Sequence, residues 1–276
     1  MRSWLAIFDP VGALERCRAA IAAVLAARPK PCPRCSPLGE SPAVVLVMAL
    51  VVAIAAIPLV DAVAFSMSSL IAPEWRPSLQ RVTALGEGWE ILVGSGLVVI
   101  GFLVIDSRRL PAPTRAALQR LAALSAFAFA SVAGSGLMAA LVKNAIGRAR
   151  PHAIDGDAVL QFHAFAFQPR YAAFPSGHST TAGATAMVLA LMFPRWRWPI
   201  LIAGLLVAVT RTLLEAHFPS DVVAGVGLGM AGTLLFAHLL ARRDFVFRYD
   251  WEGRLVPAPG ESFRSLAALF SRPQVG

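Results

Sequence analysis

Residues 43–65 have the sequence AVVLVMALVVAIAAIPLVDAVAF, an apolar run interrupted only by Pro58 and Asp61. A membrane-spanning helix needs about 20 predominantly apolar residues, so this stretch predicts a transmembrane helix. The whole chain has the same character, because 57% of its 276 residues are hydrophobic and only 15% are charged. This composition excludes a disordered chain, a collagen-like repeat and a disulfide-rich scaffold. It predicts a polytopic membrane protein.

Further apolar segments predict five more membrane helices, at 89–105, 121–142, 178–193, 198–214 and 222–240. Two of them, 178–193 and 198–214, are short for a complete crossing. The predicted fold is therefore an all-α polytopic membrane protein with six transmembrane helices. We expect three regions, namely an N-terminal tail 1–42 with a possible surface helix, a six-helix membrane domain 43–241 and a C-terminal tail 242–276.

The basic residues indicate the orientation of the chain. Of the 25 Lys and Arg residues, eighteen lie in the two tails and in the connectors 106–120 and 194–197. Cytoplasmic segments of membrane proteins are enriched in Lys and Arg, so both tails are predicted to be cytoplasmic. The net charge of +9 does not indicate a nucleic-acid partner, since the basic residues are not interleaved with aromatic side chains and only 2 Tyr are present.

Three polar segments lie at the predicted outer face, KNAIGRARP (143–151), PSGH (175–178) and TRTLLEAHFPSD (210–221). Lys143 and Arg150 are seven residues apart, so a continued helix would place them on one face. Together with Arg211 they supply three positive charges, and the planar guanidinium of Arg suits phosphate oxygens. Ser176 and Gly177 lie where a helix begins, so free backbone N–H groups and the helix dipole would also favour an anion. These features predict a site for phosphate or a similar oxyanion.

The two histidines of these segments, His178 and His217, add chemistry to the predicted site. A neutral imidazole can attack a bound phosphoryl group and form a covalent phosphohistidine. A second, protonated imidazole can donate to the leaving oxygen and later activate water. Asp221 lies four residues after His217, a spacing suited to orienting one ring nitrogen. The basic residues would stabilise the phosphoryl oxygens, so neither a metal nor another cofactor is predicted.

The three segments resemble the signatures K-x6-RP, PSGH and [S/T]R-x5-H-x3-D of the type 2 phosphatidic acid phosphatase superfamily. The matching residues are Lys143, Arg150, Pro151, Pro175, Ser176, Gly177, His178, Arg211, His217 and Asp221. The resemblance implies a six-helix core with its site at the outer face and metal-independent catalysis. It also implies that His217 is the nucleophile and His178 the general acid. One position departs from the usual pattern, because Thr210 stands where the family usually has Ser.

The resemblance implies a lipid phosphate phosphatase of the inner membrane, with the lipid itself as its partner. Undecaprenyl diphosphate, phosphatidylglycerophosphate, phosphatidic acid and the lipid A phosphates are the candidate substrates. Two alternatives stay open at this point. A phosphohistidine could pass its phosphoryl group to another lipid instead of water, or the basic residues could merely bind an anionic lipid in a transporter or interaction protein. The sequence does not indicate an oligomeric state.

Other notable residues have simpler interpretations. Arg148 and Arg170 are predicted to anchor helix ends at the membrane interface, and Asp61 and Glu90 to reach that interface. His238 is expected to be a packed or interfacial histidine. The polar residues between the third and fourth helices fit no metal-ligand spacing and are expected to be solvated; they are His152, Asp155, Asp157 and His163. The aromatic residues of this loop are expected to touch lipid or line the substrate entrance; they are Phe162, Phe165, Phe167, Tyr171 and Phe174.

The three cysteines are predicted to stay reduced in the cytoplasmic tail. Cys32 and Cys35 form a C-x-x-C pair, but one pair cannot complete a tetrahedral zinc site. Neither a zinc site nor a redox site is therefore expected there.

Overall fold

A computed structural model describes residues 9, 12–27, 29, 40–64, 71–154 and 160–258. In these residues the helices are α1 (Ala13–Ala26), α2 (Pro42–Ala56), α3 (Arg76–Ala84), α4 (Trp89–Val104), α5 (Ala112–Ile146), α6 (Gly177–Met192), α7 (Arg197–Leu213) and α8 (Pro219–Ala241). A short antiparallel hairpin follows, formed by β1 (Phe247–Tyr249) and β2 (Leu255–Pro257). The C-x-x-C pair, Asp155 and Asp157 lie outside the described residues.

Five helical segments of the described chain are long and apolar enough to cross a membrane. They are Pro42–Ala64, Pro73–Val104, Ala112–Ile146, Pro194–Leu213 and Pro219–Ala241. Large apolar side chains such as Ile54, Leu97 and Leu206 are about 60% exposed on these helices. Apolar surface of this extent is suited to contact with lipid. An integral membrane protein is thus confirmed.

Helix α6 corresponds to the fourth predicted span, but it contains only 16 residues. That is shorter than a complete crossing requires, so the sixth span stays a prediction. Most of α6 is buried by other parts of the protein. Its apolar character therefore serves packing inside the protein as well as any contact with lipid.

The first membrane helix changes its winding at Pro58. Helix α2 begins after Ser41, whose hydroxyl accepts a hydrogen bond from the Val44 amide, and Pro42 occupies the first helical position. A π-helical turn, Ile57–Asp61, interrupts the α-helix where Pro58 lacks an amide hydrogen. Asp61 ends this turn and is completely buried. The expectation that Asp61 reaches the membrane interface is therefore wrong.

Glycines allow α6 and α8 to approach each other closely. A β-carbon at Gly229 would lie 2.0 Å from the carbonyl oxygen of Thr180, and one at Gly225 would lie 2.5 Å from the carbonyl oxygen of Ser176. Such distances are far below van der Waals contact, so only glycine fits at these positions. Small residues bring membrane helices together in this way. The packing holds the beginning of α6 beside the beginning of α8.

The described chain divides into two compact units. The first comprises the described residues within Met1–Ser36, Ile91–Ala130 and Phe236–Gly276, and the second those within Pro37–Glu90 and Ser131–Leu235. In the first unit the Phe127 and Phe247 rings pack edge to face at 4.8 Å, and Phe247 is fully buried. The hairpin that carries Phe247 departs from the all-α prediction. The first residue of each strand, Phe247 and Leu255, is buried, and the other strand residues are partly or fully exposed.

Candidate active site

All of the predicted site residues lie in the second unit. They are Lys143, Arg150, Ser176, Gly177, His178, Arg211, His217 and Asp221. The amide of Ser176 donates a hydrogen bond of 3.0 Å to the carbonyl oxygen of Asp221, which joins the second segment to the third. The Lys143 ammonium nitrogen lies 3.9 Å from the point where a β-carbon on Gly177 would stand, which joins the first segment to the second. The structure thus brings the three segments together.

The first segment reaches the site through a sharp turn. Helix α5 ends at Ile146, and Gly147 follows with a φ of +67°. A β-carbon at Gly147 would stand 1.9 Å from the carbonyl oxygen of His163, so this position requires glycine. The helix therefore does not continue from Lys143 to Arg150, and the two residues do not share a helix face. The turn, and not a shared helix face, brings the two cations within electrostatic range of each other.

The second segment begins α6. Ser176 is the N-cap, and its hydroxyl accepts hydrogen bonds from the amide and the hydroxyl of Ser179. The Ser176 amide is already bonded to Asp221, so the prediction that it offers a free N–H group is wrong. Gly177 and His178 are the first helical residues, and their amides have no acceptor one turn earlier in the helix. The start of α6 therefore has two N–H groups, and not three, that are suited to binding an anion.

The third segment is a loop between α7 and α8. Arg211 lies in the last turn of α7, and its carbonyl oxygen accepts from the His217 amide at 3.3 Å. Glu215 has a φ of +56°, and its carboxylate accepts a hydrogen bond of 2.9 Å from Arg76. His217 precedes the first residue of α8, Pro219, so it does not share a helix with Asp221. The loop therefore sets the position of His217.

His217 and Asp221 are neighbours, and both are almost completely buried. Nδ1 of His217 lies 3.6 Å from Oδ2 of Asp221, longer than a hydrogen bond. Oδ2 instead accepts from the Phe218 amide at 3.0 Å, a bond that caps the start of α8. Oδ1 accepts from Arg148 Nη1 at 2.7 Å. The Asp221 carboxylate is thus held in place by groups other than the histidine.

Positive charge surrounds His217. Arg150 and Arg211 both act electrostatically on His217 and on each other. Burial lowers the pKa of His217 below its ordinary 6.5, the two arginines lower it further, and Asp221 opposes the shift. Burial likewise lowers the pKa of Arg150. The imidazole of His217 is therefore kept neutral near pH 7, the form that can act as a nucleophile.

Three buried nitrogens of the site have no hydrogen-bond partner among the described residues. They are Nε of Arg150, Nε of Arg211 and Nδ1 of His217. Buried polar groups in proteins are nearly always hydrogen-bonded. Two such guanidinium donors within electrostatic range of each other and of His217 suit the oxygens of a phosphate. The described residues contain no group of three or more His, Cys, Asp or Glu side chains placed to hold a metal ion.

Glu87 is a site neighbour that the sequence analysis missed. Its Oε1 atom lies 3.6 Å from Nε2 of His178, whose side chain is one-third exposed. The hydroxyl of Thr181 donates to the carbonyl oxygen of Gly86 and so ties the loop of Glu87 to α6. Burial, and then Arg211, lower the pKa of His178 to about 4, and the Glu87 carboxylate opposes this shift. The sequence offered no signal for this contact, because Glu87 lies in a short loop outside all three motifs.

Arg148 is a second residue that the sequence analysis missed. It was predicted to anchor a helix end at the interface, but it is 1% exposed and pairs with Asp61 and Asp221. That prediction is wrong, because two buried carboxylates require a buried cation. The interruption of residues 43–65 by Asp61 was the one available signal. An acidic residue inside a membrane helix calls for a partner, but the sequence does not say which.

The side chains of the other residues singled out above make contacts outside the eight site residues, although the Arg170 carbonyl oxygen accepts a hydrogen bond of 2.9 Å from the Arg150 amide. Arg170 and Glu90 are exposed, and the guanidinium of Arg170 lies over the ring of Tyr171. His152 is exposed, and the His163 ring packs against Tyr171 at 4.0 Å. His238 hydrogen-bonds to the Tyr249 hydroxyl at 2.8 Å, as expected of a packed histidine. Phe162, Phe165 and Phe167 are exposed.

The chain resembles known proteins over most of its length. The family model described as the PAP2 superfamily matches residues 123–245. A lipid A 1-phosphatase from Rhizobium etli is 35% identical over 204 residues, which cover 70% of this chain and 87% of that protein. A lipid A 1-phosphatase from Rhizobium johnstonii is 40% identical over 130 residues, which cover 47% of this chain and 53% of that protein.

One solved structure is also similar in fold. It is the crystal structure of the first transmembrane PAP2 type phosphatidylglycerolphosphate phosphatase from Bacillus subtilis. The TM-score is 0.49 at 20% sequence identity, and the match covers 71% of this chain and 94% of that chain.

Proposed function

The chain belongs to the PAP2 superfamily and is a membrane lipid phosphatase of the PAP2 type; we propose that it hydrolyses its lipid phosphate through a covalent phosphohistidine on His217. The observation that carries this proposal is the buried imidazole of His217, which lies within electrostatic range of Arg150 and Arg211, two arginines whose buried Nε atoms have no partner among the described residues. A neutral imidazole beside two phosphate-binding cations has the components of a phosphoryl-transfer site.

The phosphate group is held by cations and amides. The side chains of Lys143, Arg150 and Arg211 bind its oxygens. The amides of Gly177 and His178, at the start of α6, donate further hydrogen bonds to these oxygens. The same groups stabilise the charge on the equatorial oxygens while the phosphoryl group is transferred. Ser176 takes part as the cap that fixes the beginning of α6.

The first chemical step forms a P–N bond. Because Nδ1 of His217 is the nitrogen nearer to Asp221, Nε2 is the nitrogen that attacks phosphorus. The P–O bond to the lipid breaks, and His178 gives its proton to the departing oxygen. Asp221 stabilises the positive charge that develops on the His217 ring. Burial and Arg211 lower the pKa of His178, Glu87 opposes this shift, and the negative charge of a bound phosphate would oppose it further and so support a protonated His178 at the start of this step.

The second step restores the enzyme. His178, now neutral, takes a proton from water as the water oxygen attacks phosphorus. The P–N bond breaks, inorganic phosphate leaves and His217 returns to its neutral form. His178 thus acts first as an acid and then as a base, so that protons balance over the cycle.

The substrate that we propose is lipid A carrying a 1-phosphate. Its support is the 35% identity to the Rhizobium etli lipid A 1-phosphatase, of which the match covers 87%. The phosphate would lie in the basic site and the acyl chains in the bilayer. We further propose that the site faces the exterior of the inner membrane and that both termini are cytoplasmic, because eighteen of the 25 basic residues lie on the side of the termini.

Phosphate release by the purified protein tests this proposal. The detergent-solubilised chain is incubated with lipid A, undecaprenyl diphosphate, phosphatidylglycerophosphate or phosphatidic acid. His217→Ala serves as the inactive variant, and His152→Ala, at an exposed histidine, as the matched control. Release from lipid A that is lost in His217→Ala and kept in His152→Ala supports the proposal.

Other outcomes of this assay would contradict parts of the proposal. Release only from one of the other three lipids would overturn lipid A as the proposed substrate but would not change the enzyme class. Release that persists in His217→Ala would overturn the phosphohistidine. Acid-labile and alkali-stable 32P on the wild-type chain during turnover would support the covalent intermediate directly.

A further inference from the structure

Arg148 lies between Lys143 and Arg150 in sequence, yet the proposed mechanism gives it no part. It is the largest side chain in the described residues that is less than 2% exposed. Its Nη1 atom donates to Oδ1 of Asp221 at 2.7 Å and to the Ser220 hydroxyl at 2.6 Å. Its Nη2 atom donates to Oδ2 of Asp61 at 2.8 Å. One guanidinium therefore joins the first membrane helix to the Asp221 carboxylate.

Asp61 strengthens the same connection. Its Oδ1 atom accepts from the Ser220 amide at 3.0 Å, and its Oδ2 atom accepts from the Ser220 hydroxyl at 2.6 Å. Ser220 directly precedes Asp221 in the first turn of α8. Asp61 thus binds the turn that carries Asp221 both directly and through Arg148. Its place in the π-helical turn of the first membrane helix directs it to this contact.

The charges of this cluster partly compensate each other. Asp61 and Asp221 bring two negative charges and Arg148 one positive charge, all buried. An unpaired ion would be very unfavourable in such surroundings, and the buried cation compensates for part of the negative charge of the two carboxylates. The Arg148 guanidinium also lies 4.5 Å from the centre of the Phe218 ring. Arg148 therefore contacts Phe218, Ser220 and Asp221, which lie at the start of α8.

We propose that Arg148 and Asp61 are positioning residues of the phosphatase reaction, which hold the Asp221 carboxylate at its place beside His217. This inference rests on the proposed function for the role of His217. Neither residue contacts the phosphate. They act through Asp221, whose two oxygens are committed to Arg148 and to the Phe218 amide and so stay close to Nδ1 of His217.

The proposal predicts an electrostatic effect as well as a geometric one. The charged groups that act on His217 are Asp221, Arg150, Arg211 and His178. Asp61 adds a negative charge behind Asp221, and Arg148 offsets part of it. Removing the charge of Asp61 makes the surroundings of His217 more positive, which disfavours its protonation. Removing Arg148 and the charge of Asp61 together leaves the net charge of the cluster unchanged.

Two variants test this positioning role. Asp61→Asn keeps the shape of the side chain and removes its charge, and the double variant Asp61→Asn with Arg148→Met removes one charge of each sign. Glu90→Gln and Arg170→Met are the matched controls, because both replace exposed residues of the same unit. The steady-state constants and the pH profile of kcat/KM are measured on the lipid from which the wild-type protein releases phosphate, with folding checked by gel filtration and thermal unfolding.

We expect kcat to fall about tenfold in Asp61→Asn and about 100-fold in the double variant, with KM nearly unchanged, because a misplaced orienting group affects mainly the transition state. The acid limb of the pH profile of kcat/KM should shift to lower pH by about half a unit in Asp61→Asn. In the double variant it should return to the wild-type position. A role in folding alone would lower the yield of folded protein without moving this limb.

The outcomes separate this inference from the proposed function. Wild-type values of kcat and of the acid limb in both folded variants would overturn the positioning role and leave the proposed function intact. An equal loss of kcat in the two control variants would also overturn it. Absence of phosphate release by the wild-type chain would instead overturn the proposed function. Asp61→Asn keeps the buried pair of Arg148 and Asp221, whereas the double variant leaves Asp221 without its cation. If the double variant does not fold, the single variant therefore decides the kcat prediction.

Discussion

Nδ1 of His217 lies 3.6 Å from Oδ2 of Asp221, and both side chains are almost completely buried. The distance is too long for a hydrogen bond but short enough for an ionic interaction. The pair therefore gains most when the His217 ring becomes positively charged, which occurs when its other nitrogen binds phosphorus. An orienting carboxylate of this kind stabilises the transition state more than the bound substrate.

Asp221→Asn should consequently lower kcat by about 1,000-fold and leave KM nearly unchanged, because the charge that stabilises the His217 imidazolium is lost. Steady-state phosphate release measures both constants. Glu90→Gln, at an exposed acidic residue, should behave as the wild type. A rise in KM with an unchanged kcat would contradict the role of Asp221.

The pH dependence of the reaction should reflect the environment of His217. Only its neutral form attacks phosphorus, and burial keeps its pKa below the ordinary 6.5. Protonation therefore begins at a lower pH than for a free histidine, so the acid limb of kcat/KM should lie below pH 6.5. The limb should move lower still in Asp221→Asn, since Asp221 opposes the shift. An acid limb above pH 7 would exclude His217 as the neutral nucleophile.

The exposed aromatic residues of the loop before α6 should contribute to lipid binding. Phe165 and Phe167 are 67% and 72% exposed, and the Phe165 amide is bonded to the Asn144 carbonyl oxygen next to Lys143. Replacing both with Ser should raise KM for long-chain lipid A about tenfold, because apolar surface that contacts the acyl chains is lost. Kinetics with a short-chain, water-soluble phosphate ester should not change. An equal effect on both substrates would point to damage to the site itself.

Vanadate and chelators should affect the protein differently. Vanadate imitates the phosphoryl group in transfer, so it should inhibit competitively through Arg150 and Arg211. Arg211→Gln should weaken this inhibition, whereas Arg170→Gln, at an exposed arginine, should not. Chelators should leave phosphate release unchanged, because cationic side chains supply the stabilisation. Loss of activity in EDTA that Mg²⁺ restores would overturn this mechanism.

The proposed orientation can be tested with single cysteines. In a chain whose three cysteines are replaced by Ser, Gln168→Cys and Trp251→Cys introduce thiols at exposed positions. An impermeant maleimide added to intact cells should label the first, which lies in the loop before α6. It should label the second only after permeabilisation, because the hairpin follows the last membrane helix. The reverse pattern would place the site in the cytoplasm.

Much of the architecture follows from the sequence alone, because hydropathy is a local property. The helices Trp89–Val104 and Arg197–Leu213 lie within one residue of their predicted bounds at each end. The hairpin at Phe247–Tyr249 escaped prediction, since three-residue strands carry almost no periodic signal. The cations and histidines proposed for the site could also be named from the sequence, because the spacing within each motif is encoded in a short stretch of chain.

The tertiary structure alone decided how buried charges are paired. Arg148 meets a carboxylate 87 residues away in Asp61 and another 73 residues away in Asp221. The sequence shows that Asp61 needs a partner, because an isolated charge inside a membrane helix is very unfavourable. It does not show which of 25 basic residues provides it. That choice depends on the turn at Gly147 and on the packing of α8 beside α6, which no local pattern encodes.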